Sequence, residues 1–234
     1  MNRNSRVVSI YGPPGAGKGT QAELMEKRFN FVHFDTGSYI ENLLYSPQAK
    51  NNKELQKKRK GFEEGSLLDP MWVREIVVSE IKNMEDSELS LVFSGSPRTV
   101  IEAFGNNSKK GVIEILENSY GRQNIDFVFL EINDQTSIKR NSKRTVCSVC
   151  SLPILGDYEL DRCPFCKGGL RTRTLDKPEV IQKRLEEFRD RTKPILSKLR
   201  ERGYEIHKVD GTKAPYRVHK KIAKALNLER LKNR

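Results

Sequence analysis

The sequence predicts an α/β chain in which a five-stranded parallel sheet is flanked by helices and interrupted by a helical insertion and a small cysteine-rich lobe. Three observations point there. Short apolar runs alternate with helix-length stretches, a glycine-rich loop follows the first run, and all four cysteines fall into two CxxC pairs. Strands separated by helices imply right-handed crossover units, and a parallel sheet built from them is covered on both faces and binds ligands at the carboxyl ends of its strands.

Strands are expected at 6–11 (RVVSIY), 31–34, 90–93, 125–132 (IDFVFLEI) and 204–209. Between them, 72–84 and the long stretch 177–202 carry apolar residues three and four apart, the spacing of a helix with one buried face. Trp72, at the start of the first of these, reads as core. Three regions break the alternation. Residues 42–70 are polar and helical in pattern with Gly65 and Pro70 as punctuation, 106–124 reads as an ordinary surface helix, and 145–174 is rich in Cys, Gly and Pro. The charged tail, 228–234, is expected to fray.

Composition bounds the partners. A chain of 234 residues can bury a full core and sits near the upper end of one domain, so one main domain with insertions is expected. No apolar run is long enough to cross a bilayer, and the first residues lead into a strand rather than a signal-peptide core, so a cytoplasmic setting is expected. The net charge of +12 favours polyanions, whether nucleic acid, an acidic surface or phosphorylated small molecules. The basic run KELQKKRK at 53–60 reads as a solvated helix face.

The sharpest chemical signal is GPPGAGKGT at 12–20. Gly12, Gly15, Ala16 and Gly17 let backbone N–H groups turn inward around a phosphate, the following helix aims its positive end at it, and Lys18 reaches its outer oxygens. Gly19 stands where a hydroxyl residue usually follows the lysine, and the hydroxyl comes one position later, at Thr20. The alternative, a glycine-rich turn, is disfavoured by the strand before and the helix-forming residues after.

Cys147, Cys150, Cys163 and Cys166 are two knuckles with twelve residues between them, the spacing of a closed tetrahedral Cys₄ zinc site. Such a site is structural, stapling a lobe too short to build its own core. Two disulfides or a redox pair are the alternatives, and both sit poorly with a cytoplasmic protein and a doubled motif.

These signals occur in register with TGSYIE at 36–41, GSPRT at 95–99, RTRTLDKPEVIQKRL at 171–185 and VDGTKAPYRV at 209–218. From about residue 7 to 226 the pattern resembles the adenylate kinase family of nucleoside monophosphate kinases, in its zinc-lid form. The resemblance implies a P-loop core (1–35, 70–144 and 177–234), a monophosphate clamp (36–69) and a zinc lid (145–176). It implies transfer of the γ-phosphoryl of MgATP to a nucleoside monophosphate, AMP by default, by a chain acting as a monomer. Matching positions imply that Lys18, Arg98, Arg144, Arg173 and Arg184 offset the charge of the two nucleotides. Arg98 grips the acceptor phosphate, Arg140 lies against the ATP base and the Lys213 backbone touches it. Thr36, Ser66, Leu68, Gly95 and Glu102 line the acceptor, with Arg173 and Arg184 above it. Phosphoryl transfer needs this positioning and charge stabilisation more than covalent protein chemistry, and a closing lid keeps water from accepting the phosphoryl group.

Four positions depart from the family pattern. Ser94 replaces an aspartate that helps order the water around Mg²⁺, Glu41 an arginine that holds the monophosphate, Glu102 a glutamine that reads adenine, and Leu175 the first of two acidic lid residues, leaving Asp176. A carboxylate offers two acceptors where glutamine offers an acceptor and a donor, which suits guanine if Glu102 faces the base; otherwise Glu102 points to solvent. Glu41 is expected to turn away or to pair with Lys57 or Lys58, since a carboxylate 4 Å from a phosphate charge is repelled by about 4 kcal/mol at an effective dielectric near 20. His33, His207 and His219 have no ligand spacing and read as plain strand or surface histidines.

Three function classes follow: an active nucleoside monophosphate kinase, a catalytically weak ATP-binding sensor or scaffold, and a zinc-bearing nucleic-acid binder with an ATP switch. The first is favoured. The cysteine lobe lacks the alternation of aromatic and basic residues that would grip a nucleic acid, so no specific nucleic acid is expected.

Overall fold

A computed structural model describes residues 5–85, 87, 89–150, 152–154 and 160–228; the charged tail from 229 onward lies outside the described residues, as do 151 and 155–159 of the cysteine-rich segment. The central sheet has five strands, β1 (Val7–Tyr11), β2 (Phe31–Phe34), β3 (Ser90–Phe93), β4 (Ile125–Glu131) and one at Ile206–Asp210 near the end of the chain, in the order β2, β3, β1, β4, last strand. All pairings are parallel, with Val8 opposite Val92 on one side and Asp126 on the other. The last strand begins two residues later than the sequence suggests, because Tyr204 folds in behind β4, its ring edge-on to Phe127 at 4.9 Å.

Alternation along the strands feeds two cores. Val7, Leu91, Phe93 and Phe127 face one side, where α4 (Pro70–Glu85), α6 (Val112–Tyr120) and, later in the chain, the helix Lys193–Glu201 pack; Val8, Ile10, Val92 and Val128 face the other, under α1 (Lys18–Phe29) and the helix Pro215–Ala225. Burying each such side chain contributes about 1.5–3 kcal/mol. Among the described residues no helix is long and apolar enough to cross a membrane.

The helical insertion comprises α2 (Thr36–Leu44), a 3₁₀ turn at Pro47–Asn51 and α3 (Lys53–Glu63). Asp35 caps α2 by accepting from the Gly37 and Ser38 amides, and Asn52 caps α3 in the same way. α3 buries no residue, as its basic run implies, though Lys58 sits over the Trp72 ring at 5.1 Å.

Two helical expectations need correction. The segment 106–124 is not a surface helix: α5 (Val100–Phe104) ends at Gly105, Asn106 Oδ1 accepts from the Ser108 and Lys109 amides in a tight turn, and α6 starts only at Val112, with Val112, Ile113 and Leu116 buried. The long helix over 177–202 is broken into α8 (Pro178–Glu187) and α9 (Lys193–Glu201) by a π-helical turn at Phe188–Thr192. Pro194 has no amide to continue the ladder, and the Lys193 amide reaches back to Phe188 O instead. Between α7 (Asp134–Ser142) and α8 the cysteine lobe forms a three-stranded antiparallel sheet of β5 (Thr145–Cys147), β6 (Pro153–Ile154) and β7 (Leu170–Arg171), which makes the last strand of the central sheet β8; the closing helix is α10.

Candidate active site

The glycine loop joins β1 to α1, and the cis Ser96–Pro97 loop leaves the neighbouring β3, so Lys18 and Arg98 emerge from adjacent strand ends. Lys18 Nζ donates to Gly12 O at 2.7 Å and Pro13 O at 3.0 Å. α7 backs the loop: Ser137 Oγ donates to Pro14 O, and a Cβ on Gly15, which sits at φ +76°, would fall 2.6 Å from Asn141 Nδ2. α1 has no acidic residue in its first turn, so its positive end is unmasked, and Gly17 and Gly19 both face open space.

Around Lys18 the predicted cations converge. Burial holds its ammonium well below the usual lysine range, and the charges of Arg98, Arg184 and Arg144 push the same way, with Asp35 opposing. Burial and then Arg98, Arg144 and Arg173 bring Arg184 down to about 9. Arg98 is lowered by burial and by Arg173, while Asp35 and Glu102 oppose. Cations that depress one another's protonation mark a pocket suited to a polyanion.

Carboxylates and carbonyls hold these cations in place. The fully buried carboxylate of Asp176 takes Arg144 in a fork, Oδ2 from Nε at 2.9 Å and Oδ1 from Nη2 at 2.6 Å, with Arg184 Nη1 at 3.7 Å. Arg184 also donates to Leu175 O at 3.2 Å, so the backbone takes over where an acidic side chain is missing. Arg98 Nε donates to Gly95 O at 2.7 Å, and its carbonyl accepts from Thr192 Oγ1 at 2.8 Å, so the π-helical turn steadies the loop. Glu41 neither turns away nor pairs with Lys57 or Lys58: its Oε2 accepts from Arg173 Nη2 at 3.3 Å, while Lys58 pairs with Glu54. Glu41 lies on α2 and Arg173 just after β7, so this contact joins the helical insertion to the cysteine lobe.

Beside the cations a cleft is lined by Thr36, Ser66, Leu68, Gly95, Arg98 and Glu102 among others. At one end Gly65, at φ +78°, lets the insertion close on α8, since a Cβ there would lie 2.8 Å from Val180 Cγ1. Glu102 does not point to solvent. It is 2% exposed, and burial pushes its carboxyl above the usual range.

The remaining predicted residues flank the cluster. Arg140 donates to Gly15 O, Gly211 O and Thr212 O, tying α7 to the glycine loop and to the turn after β8, and Lys213 follows in that turn with its ammonium 3.9 Å from Asp210. Thr20 lies in the first turn of α1. Sequence reasoning passed over one residue. Asp35 bears on both Lys18 and Arg98, and its position before a helical run was a legible capping signal. His33 lies on β2 as a strand histidine, and its Nε2 is 2.8 Å from Ser94 Oγ just beyond β3, a contact between neighbouring strands that no spacing announces. His219 is not a surface residue either; it is 1% exposed on α10.

In the cysteine lobe the four sulfurs lie within 4.8 Å of one another, with Cys147 and Cys166 at 3.4 Å and Cys150 and Cys163 at 3.6 Å. No disulfide joins them. The edge of a tetrahedron with metal–sulfur bonds of about 2.3 Å is about 3.8 Å, so the set fits a four-coordinate metal. The Cys150 amide, aided by that of Val149, draws the Cys147 thiol down to about 6, while the neighbouring sulfurs push Cys150 up to about 12, so without a cation the four sulfurs share protons rather than all standing as thiolates.

Comparison with known proteins agrees with this geometry. Residues 10–204 match the family model described as adenylate kinase. The chain is 33% identical over 230 residues to an adenylate kinase of Caldicellulosiruptor saccharolyticus, covering 94% of this chain and 98% of that protein. It is 31% identical over 225 residues to that of Caldicellulosiruptor bescii, with the same coverage, and 31% over 206 residues to that of Listeria monocytogenes, covering 86% and 90%. With a glycine loop, a converging cation cluster, a lined cleft and a four-cysteine lobe in one frame, the chain belongs to the adenylate kinase family of nucleoside monophosphate kinases.

Proposed function

We propose that the chain transfers the γ-phosphoryl of MgATP to AMP, giving two ADP, and does so as a cytoplasmic monomer. The observation that carries this reading is the mutual electrostatic coupling of Lys18, Arg98, Arg144, Arg173 and Arg184, drawn from distant points of the chain into one pocket. The relatives' name, adenylate kinase, supports AMP as acceptor.

The roles divide by position. The loop from Gly12 to Gly17 cradles the ATP phosphates with backbone amides while Lys18 and the Thr20 hydroxyl serve the outer phosphates and Mg²⁺. Arg140 and the turn at Lys213 border the ATP base. Arg98 holds the acceptor phosphate, and Thr36, Ser66, Leu68, Gly95 and Glu102 its nucleoside. Arg144, Arg173 and Arg184 cover the transferring group; each guanidinium spreads its charge over two parallel hydrogen bonds to equatorial oxygens. Residues 36–69 act as the clamp and 145–176 as the lid. Zinc held by Cys147, Cys150, Cys163 and Cys166 would keep the lid rigid; it takes no part in the chemistry.

A coupled assay of ATP plus AMP tests the reading. Turnover that falls at least a hundredfold in Arg98→Ala and Arg144→Ala supports it, and a chain that binds ATP yet turns over with no monophosphate is a sensor or scaffold instead.

A further inference from the structure

Glu102 offers the cleft an oxygen that its structural duty leaves free. Thr99 caps α5, its Oγ1 accepting from the Glu102 amide at 3.1 Å, and Glu102 answers by accepting the Arg98 amide through Oε2 at 2.8 Å, an arrangement close to a capping box. That occupies one carboxylate oxygen. The other, Oε1, is buried with no hydrogen-bond partner among the described residues; so are the Ser96 hydroxyl, which favours the ionised form of the same carboxyl, and the Thr36 hydroxyl, which lines the same cleft. Buried polar atoms are almost always satisfied, and a pair left open at one cleft wall marks the groups that a ligand completes.

We infer that Glu102 Oε1 and Thr36 Oγ1 read guanine, so that GMP is an acceptor of the phosphotransfer proposed above, a reading on which this inference rests. Oε1 carries two unused lone pairs and no proton donor when ionised. Guanine presents N1–H and a 2-amino N–H side by side, two donors for that one oxygen, with O6 next to them to accept from the Thr36 hydroxyl. Adenine offers a single donor on that edge, the 6-amino group, and sets the N1 lone pair against the carboxylate. A site whose buried polar atoms are completed by one base and left open by another discriminates strongly, because the open atoms have lost water without gaining a partner.

The experiment uses the purified full chain with MgATP and AMP, GMP, CMP or UMP in turn, for the unaltered protein and Glu102→Gln, alongside calorimetric binding of GMP and AMP. Glutamine keeps the cap, since its amide oxygen accepts the Arg98 amide, and converts the free atom from acceptor to donor. The expected result is a GMP kcat/KM above or within tenfold of the AMP value, and a GMP-to-AMP ratio that drops at least tenfold in Glu102→Gln, matched by the ratio of binding constants. An AMP preference of tenfold or more in the unaltered protein, or a ratio that Glu102→Gln does not move, overturns the inference. Absence of turnover with every monophosphate defeats the phosphotransfer reading, and the two calorimetric ratios then decide the assignment of Glu102.

Discussion

Replacing Asp176 with asparagine removes one negative charge and leaves two guanidiniums facing an amide. The carboxylate is fully buried, whereas the Arg144 and Arg184 side chains are 24% and 20% exposed. At 3.7 Å and an effective dielectric near 20, the Arg184 interaction alone has a ceiling of about 4–5 kcal/mol. Desolvation of the three ions offsets much of that, and breaking one partner of a buried pair costs about 3–5 kcal/mol in general. Both arginine side chains remain partly exposed, which reduces the expected loss to about 2–3 kcal/mol. Because the arginines so anchored are those proposed to cover the transferring group, much of the loss should appear in the transition state: kcat falls about ten- to a hundredfold while the KM for ATP moves less than about threefold. Asp176→Glu, which keeps the charge, should recover part of it. The assay is steady-state turnover at saturating acceptor, paired with urea unfolding. If kcat stays within threefold of normal while stability drops by the full amount, Asp176 serves the fold alone. A tighter ATP complex in Asp176→Asn would also refute the reasoning, since it would mean that the carboxylate competes with nucleotide for the arginines.

Further expectations follow from other contacts. The Arg173–Glu41 pair is partly exposed and worth about 1 kcal/mol, so Glu41→Gln should free Arg173 and lower the acceptor KM about two- to fivefold, and Glu41→Arg should lower it more; an unchanged KM in both would place position 41 outside the acceptor site. Cys163→Ser should cost zinc and several degrees of melting temperature while the cation cluster stays intact, and metal analysis below about half a zinc per chain in the unaltered protein would count against a structural zinc. Among the described residues His219 has no hydrogen-bond partner for either ring nitrogen, and it stacks on Phe29 at 5.6 Å; burial, then the Arg28 charge, pushes its imidazole down to about 4. A folded value below the unfolded one, about 6.5, means that the unfolded chain binds the extra proton in between, so this contribution is complete above about pH 6.5 and is lost as pH falls toward 4, on the order of 3 kcal/mol. His219→Phe should flatten that stretch of the stability–pH curve, and an equal slope in both proteins would show that His219 does not titrate there.

Much of this molecule was legible in one dimension because its signals are local. The five strands stand out as short apolar runs, the glycine loop as glycines set between a strand and a helix, and the four-cysteine cluster as two knuckles; each depends on residues a few positions apart. The cation set was legible only as separate positions in a family register. That Lys18 feels Arg98, Arg184 and Arg144 together depends on β1 and β3 lying side by side and on α7 packing against α8.

What escaped the sequence are contacts between elements. The π-helical turn at Phe188–Thr192 comes from Pro194 acting on a ladder that periodicity treats as unbroken. Glu41 looked like a repelled carboxylate until Arg173, 132 positions away, became its partner. His33 meets Ser94 only through strand pairing, and Glu102 divides its two oxygens between a cap and a cleft. The chain's local chemistry therefore determined the class of fold, the phosphate loop and the cysteine staple. Tertiary structure alone decided which charges pair and which remain open, because those energies depend on distance and burial between segments that the covalent chain does not bring together.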